Sequence, residues 1–237
     1  CLVGSEMCIR DRDETADCPM AHMADIDRIE ELRKEYPDLA VVCYINSTAE
    51  LKCHADVCVT SSNAIRIVKA LPNKNIFFIP DENLGRFVAK QVPEKNFIFN
   101  DGYCHVHASI RKDQVEAAKK AHPNAPFIVH PECRPEILDL ADFIGSTSEI
   151  IDYASSADAK EFIIGTENSI VEHLQFACPD KKFYPLAVPL TCMNMKVTTL
   201  MDVYHCLKDI GGEEIELPEN VIDGAGKCIR KMVELGG

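Results

Sequence analysis

No apolar stretch in this sequence approaches the roughly 18 residues that a membrane-spanning helix needs, which excludes such a span. Basic charge is scarce. Lysine and arginine number 25 against 38 aspartates and glutamates, a net charge of −13 over 237 residues. That balance makes a poor non-specific binder of nucleic acid or anionic membrane. An anionic ligand would have to be held by local backbone N–H groups and hydroxyls. Also missing are a phosphate-binding P-loop, a dinucleotide-binding glycine fingerprint and a nucleophile elbow. No secretory signal with an apolar core is visible, and no Cys-x-x-Cys pair occurs.

Cysteine, by contrast, is plentiful: twelve residues, at 1, 8, 18, 43, 53, 58, 104, 133, 178, 192, 206 and 228. This density is too low for a disulfide scaffold in a chain of this length. The helical, Lys/Glu-patterned sequence reads instead as a cytoplasmic protein with reduced thiols, some in the core and some ligating a metal or cluster. Apolar residues make up 46%, enough for a sizeable globular core. The first twelve residues, CLVGSEMCIRDR, have no period and no cap, and resemble translated sequencing-adapter read-through. The expectation is that residues 1–12, with Cys1 and Cys8, are not native and that the natural text begins near Asp13.

Short apolar strands alternate with amphipathic helices. Strands are expected at Ala40–Ile45, Val57–Thr60, Asn75–Ile79, Asn96–Phe99, Pro126–Val129, Asp142–Ile144, Glu161–Gly165 and Lys182–Pro185. Between them the 3.6-residue period predicts helices at Asp25–Tyr36, Ser47–Ala55, Asn63–Leu71, Glu82–Lys90, Lys112–Ala121, Pro135–Leu140, Ser148–Ser156 and Asn168–Phe176. Two more helices, Thr198–Lys208 and Pro218–Leu235, flank a short strand at Glu214–Leu217. This alternation argues an α/β fold of short parallel sheets covered on both faces.

The order also repeats. With an offset of 86, residues 34–61 match 120–147 at 5 of 28 positions, including Pro37 with Pro123 and Ala55-Asp56 with Ala141-Asp142. Cys18 and Cys104 are likewise 86 apart, and Cys104 and Cys192 are 88 apart. The expected architecture is therefore a pseudo-threefold repeat of three-layer α/β/α units, each closed by one cysteine. The boundaries read as 13–23 for the remnant of a first unit, 24–106 and 107–192 for the second and third, and 193–237 for C-terminal helices packing back on the first.

Three thiols brought to one axis, Cys18, Cys104 and Cys192, would suit an iron–sulfur cluster, or could be buried hydrophobes. A [4Fe–4S] cube with three cysteine ligands keeps one open iron, able to act as a Lewis acid. At matching strand ends lie Tyr44 and Asn46 in one repeat and His130 and Glu132 in the next. These groups suit acid–base and hydrogen-bonding work beyond the carboxyl ends of parallel strands, or are ordinary polar strand ends. Thr60-Ser61-Ser62-Asn63 and Gly145-Ser146-Thr147 each open a helix, as anion sites or as plain caps. His107 lies three residues after Cys104 and could donate to substrate or cluster, while His105 reads as surface. Cys43 and Cys58 read as buried, and Cys53, Cys133, Cys178, Cys206 and Cys228 as unligated thiols.

Taken in order, Thr15-Ala-Asp-Cys18-Pro-Met-Ala, Tyr44-Ile-Asn46-Ser47-Thr-Ala-Glu, Thr60-Ser61-Ser-Asn63-Ala, Pro80-Asp-Glu-Asn83-Leu-Gly85, Gly102-Tyr-Cys104, His130-Pro-Glu132-Cys, Gly145-Ser146-Thr147, Gly165-Thr166-Glu167 and Cys192-Met-Asn194-Met-Lys196 resemble the A-type quinolinate synthase family of NAD biosynthesis. The resemblance runs from about residue 13 to 237. It implies three α/β/α domains around a [4Fe–4S] cluster, and condensation of iminoaspartate with dihydroxyacetone phosphate to quinolinate, phosphate and water. It also implies cluster ligands at Cys18, Cys104 and Cys192, catalytic groups at Tyr44, His130 and Glu132, and substrate contacts at Asn46, Ser61, His107, Ser146 and Thr147. A functional link to L-aspartate oxidase, which makes iminoaspartate, is implied as well. The chain departs from the family at His105, where proline is usual. The family's first-domain His/Tyr strand end and serine loop have no counterpart in this sequence, so the expectation is an N-terminally truncated chain whose activity depends on the lost unit. Two other classes fit the same residues: a non-catalytic α/β module binding small dianions, and a zinc hydrolase using Cys104, His107 and His130.

Overall fold

A computed structural model describes residues 10–186 and 190–236. Most of the segment 1–12, with Cys1 and Cys8, lies outside the described residues. Strand β1 (Arg10–Asp11) is followed by a 3-10 turn at Pro19–His22 and helix α1 (Ile26–Glu35). The first α/β unit in the structure continues with β2 (Leu39–Tyr44), α2 (Ala49–Cys53), β3 (Val57–Val59), α3 (Ala64–Ala70), β4 (Asn75–Ile79), α4 (Glu82–Gln91) and β5 (Asn96–Phe99). After a short helix α5 (His105–Ala108) comes a second unit: α6 (Lys112–Ala121), β6 (Phe127–Val129), α7 (Pro135–Leu138), β7 (Phe143–Ile144), α8 (Thr147–Ser156), β8 (Glu161–Gly165), α9 (Ser169–Ala177) and β9 (Lys182–Pro185). A 3-10 turn at Asn194–Lys196, α10 (Leu200–Leu207), β10 (Glu213–Glu214) and α11 (Glu219–Gly236) complete the chain.

Both units form a four-stranded parallel sheet with the same topology, β3-β2-β4-β5 and β7-β6-β8-β9. The strands are short and apolar on both sides because helices cover both faces. On the first sheet Val42, Ile76 and Phe78 face α3 and α4, whereas Val41, Cys43, Phe77 and Ile79 face α1, α2 and α11. On the second, Phe127, Val129 and Ile163 join one core while Ile128, Phe162 and Ile164 join the other. The three-layer α/β/α architecture and its duplication are thus as the sequence predicts.

The 86-residue offset extends to individual interactions. The Asp56 carboxylate accepts the Val41 N–H at 2.7 Å, and the Asp142 carboxylate accepts the Phe127 N–H at 2.8 Å. Arg33 pairs with Asp56, and Lys119 with Asp142, both at 3.0 Å. Each acid thereby pins the start of a central strand against the edge strand, at the same place in both units.

The last helix lies against α2, β3 and α3, with Cys228 buried beside Cys58 and Ala225 also buried. Among the described residues its packing partner is the unit 24–106, whereas the sequence predicts the C-terminal helices on the first-unit remnant. The apolar stripe of α11 fits the face of the first sheet that α1 and α2 leave uncovered. Helix α10 buries none of its residues, and Leu200 and Leu207 are more than four-fifths exposed. The strand expected at Glu214–Leu217 forms only as β10, paired antiparallel with β1. No helix among the described residues is long and apolar enough to cross a membrane.

Candidate functional site

Cys104 packs against the cores of both units, so the loop after β5 sits at their junction. There a cavity of about 430 Å³ opens, lined by Cys18, Cys104 and Cys192 together with Tyr44, Asn46, His107, His130, Glu132 and Thr147. All three cysteines are half-buried free thiols. Each opens a short helical turn: the Cys18 carbonyl accepts the Ala21 N–H at 2.8 Å, Cys104 accepts from Ala108 at 2.9 Å, and Cys192 accepts from Met195 at 3.2 Å. These turns are too short for a 3.6-residue period to reveal, and the sequence reading omits them.

The polar groups come from the carboxyl ends of β2 and β6, the end of a parallel sheet where ligands bind. Tyr44 is the last residue of β2, and His130 follows β6. His107 is buried on α5, with Nδ1 3.2 Å from Cys104 Sγ and 3.0 Å from Glu132 Oε2, and Nε2 2.9 Å from Thr166 Oγ1. Its ring stacks on that of His130, with centroids 4.7 Å apart. Burial works against a charged His107, but hydrogen bonding to Cys104 and Glu132 outweighs it and lifts the pKa to about 10. Glu132 is also buried, which would favour its neutral form; the His107 hydrogen bond and the nearby imidazoles reverse this and hold it down at about 2. The two form a buried ion pair.

His130 behaves oppositely. Burial, reinforced by the charged His107, lowers it to about 4, despite the pull of Glu132. Its Nδ1 accepts the Glu132 N–H at 3.3 Å. A neutral ring with Nδ1 accepting carries its proton on Nε2. Burial and the neighbouring Glu132 carboxylate together push the Tyr44 phenol well above its ordinary range. At neutral pH these four groups are therefore a carboxylate at Glu132, an imidazolium at His107, a neutral imidazole at His130 and a phenol at Tyr44.

Eight of the cavity residues named from sequence come together: Cys18, Cys104, Cys192, Tyr44, Asn46, His107, His130 and Glu132, with Thr147 as a ninth. Ser61 and Ser146 do not line this space. They face a separate cavity of about 380 Å³ between the units. The Ser146 hydroxyl caps α8 by accepting the Glu149 N–H at 3.4 Å, and Glu149 reciprocates at 2.7 Å. Several polar residues here have no role in the sequence reading, although Asp81, Thr166 and Glu167 stand in motifs quoted there. Thr166 and Glu167 line the cavity, and buried Asp81 accepts the Cys104 N–H at 2.9 Å. Asp81 and Glu167 are 86 apart, so the repeat offset was the signal that could have found them. Cys133, read as unligated, is buried and its thiol donates to the Gly165 carbonyl.

Among the described residues, one set of three donors converges within 4.8 Å: Cys104, His107 and Glu132. In the alternative zinc site read from sequence, His130 takes the third place. Its Nδ1 is engaged by the Glu132 N–H, and the Glu132 carboxylate stands there instead.

Known proteins resemble this chain over almost its whole length. Residues 6–234 match the family model described as quinolinate synthetase A protein. The chain is 51% identical over 221 residues to a quinolinate synthase of Caldicellulosiruptor bescii, covering 93% of this chain and 73% of that protein. To the enzyme of Caldicellulosiruptor saccharolyticus it is 52% identical over 220 residues, covering 93% and 72%. It is 48% identical to the quinolinate synthase of Fusobacterium nucleatum over 236 residues, 100% of this chain and 78% of that protein.

Proposed function

The chain belongs to the quinolinate synthase family of enzymes, and from that premise we propose that its cavity condenses iminoaspartate with dihydroxyacetone phosphate. The products are quinolinate, phosphate and water, in the cytoplasmic route to NAD that L-aspartate oxidase supplies. The observation that carries this reading is the meeting of three free thiols with Tyr44, His130 and Glu132 around one space. Its size is in the range for small metabolites, roughly 300–1,000 Å³.

The donor set fits a [4Fe–4S] cluster held by Cys18, Cys104 and Cys192. The ligands are all thiols, from three separate loops, and Cys18 and Cys192 fall outside the tight three-donor set that a single ion would use. When bound, such a cluster supplies an open iron as a Lewis acid toward a substrate oxygen or nitrogen. The protein groups supply the proton movements. Glu132, kept ionised by His107, accepts a proton from the carbon acid that must become a carbanion. Tyr44 and His130 keep their protons at neutral pH and donate hydrogen bonds to substrate oxygens, and the proton that Glu132 takes up is returned to an oxygen that leaves as water. Asn46 and Thr147 orient the substrates. Ser61 and Ser146, in the neighbouring cavity, contribute to anion binding only if that cavity joins the first when substrate is present.

A second reading has one specific observation behind it. The convergence of Cys104, His107 and Glu132 would hold a single zinc ion with an open position, for hydrolysis. The test is to supply iminoaspartate through L-aspartate oxidase, add dihydroxyacetone phosphate to the anaerobically reconstituted chain joined to the first domain of a relative, and assay quinolinate. Quinolinate forms with the wild type, and Tyr44→Phe and Glu132→Gln each lower the rate at least 100-fold. Iron-loaded protein that makes no quinolinate would overturn the reading.

A further inference from the structure

Asp81 and Glu167 occupy the same place in the two repeats, just beyond the central strands β4 and β8. Neither belongs to the proton-handling set, and both are buried. Asp81 uses both carboxylate oxygens: Oδ1 accepts the Leu84 N–H at 2.7 Å, starting α4, and Oδ2 accepts the Cys104 N–H at 2.9 Å. Glu167 repeats the arrangement. Oε2 accepts the Ser169 N–H at 2.8 Å, at the start of α9, and Oε1 accepts the Cys192 N–H at 3.3 Å. In each unit one acid ties the first turn of the helix after the central strand to the backbone of the cysteine that closes the unit.

The consequence for the thiols is geometric. The carbonyls of Cys104 and Cys192 are held by Ala108 and Met195 N–H groups, and their own N–H groups by Asp81 and Glu167. With both flanking peptides fixed, little more than the χ1 rotation of each cysteine stays free. A carboxylate is needed because two N–H donors converge on it. An amide has one acceptor oxygen, so its NH₂ group would face the second N–H. Burying an acid is costly unless such donors satisfy it, and here the same cost is met twice, 86 residues apart.

We propose that Asp81 and Glu167 are positioning residues for the Cys104 and Cys192 thiols, aligning them before any metal binds. The functional meaning of this role rests on the cluster reading above; its test does not. Amide exchange is followed at Cys104 and Cys192 in the full chain, before and after reconstitution, for Asp81→Asn, Glu167→Gln and Asp25→Ala. Asp25 caps α1 through the Asp27 N–H and touches no cysteine, so Asp25→Ala controls for loss of a cap alone. Asp81→Asn should speed exchange at Cys104 at least tenfold and leave Cys192 unchanged. Glu167→Gln should do the reverse, and Asp25→Ala neither. Reconstituted Asp81→Asn and Glu167→Gln should each lose iron to a chelator several-fold faster than wild type. Unchanged exchange at the paired cysteine, or acceleration at both cysteines by either variant, would overturn the proposal. Should Asp81→Asn fail to fold, Glu167→Gln decides it through the same two amides. A wild-type chain that takes up no iron would count against the cluster reading, and the exchange comparison would still decide this one.

Discussion

Lys181 is buried, and its ammonium donates to the carbonyls of Ala154 at 2.8 Å, Ser155 at 2.9 Å and Ala157 at 2.7 Å. These are the last carbonyls of α8, which lack partners within the helix. Three donors meet three acceptors, and Nζ also lies 5.6 Å from the centre of the Phe162 ring. Replacing Lys181 with methionine keeps the length and removes all three bonds. Hydrogen bonds from a charged group contribute about 1.5 kcal/mol each at the low end of their range. Part of that sum is returned because a buried charge is also removed. The expected net loss is about 3 kcal/mol, or a fall in Tm of about 6–12 °C for a chain of this size. The repeat supplies an internal control. Lys95, 86 residues earlier and only half-buried, donates to the carbonyls of Leu71 and Asn73 at the end of α3. With two acceptors instead of three, Lys95→Met should cost about 2 kcal/mol. Urea unfolding followed by circular dichroism measures both. A Lys181→Met chain within about 0.5 kcal/mol of wild type, or one more stable than Lys95→Met, would refute the reasoning.

Two further outcomes follow from the same packing. A Cβ on Gly165 would stand 2.7 Å from Val129 Cγ1 and 2.8 Å from Phe127 Cε2, so Gly165→Ala should destabilise the second unit by about 1–3 kcal/mol, read from the same urea curves. Burial opposes ionisation of Asp142, but the Phe127 N–H and Lys119 outweigh it and lower its pKa. A carboxylate with a lowered folded value stabilises fully above its unfolded value of about 3.9, and that stability is lost as pH falls through the lowered value. Asp142→Asn should therefore flatten the loss of stability on acidification below about pH 4, and an unchanged slope would count against it.

Much of the fold was legible because strand and helix periods are strong in this chain. Asn75–Ile79, Asn96–Phe99, Glu161–Gly165 and Lys182–Pro185 form as strands at their expected limits. The repeat was legible because Asp56 and Asp142 perform one backbone task twice, which keeps their neighbourhoods alike. The site was legible at strand ends, where Tyr44 and His130 interrupt apolar runs. It was less so elsewhere. Ser61 and Ser146 carry the residue types of an anion loop, but which cavity a loop faces is set by how two units pack. Asp81 and Glu167 stand in quoted motifs but drew no role, because they differ in type and lie outside the stretch in which the repeat shows as identities. The placement of α11 depends on a long-range fit between Cys228 and Cys58, 170 residues apart, which no local pattern encodes.

The central claim is that Cys18, Cys104 and Cys192 together hold one cluster. Iron and acid-labile sulfide measured per chain after anaerobic reconstitution test it most directly, with single alanine variants of the three cysteines and Cys178→Ala as the control. The account predicts about four of each in the wild type and in Cys178→Ala, with loss in all three site variants. Zinc at one per chain, lost with Cys104→Ala but kept in Cys18→Ala and Cys192→Ala, would contradict it and favour the single-ion site.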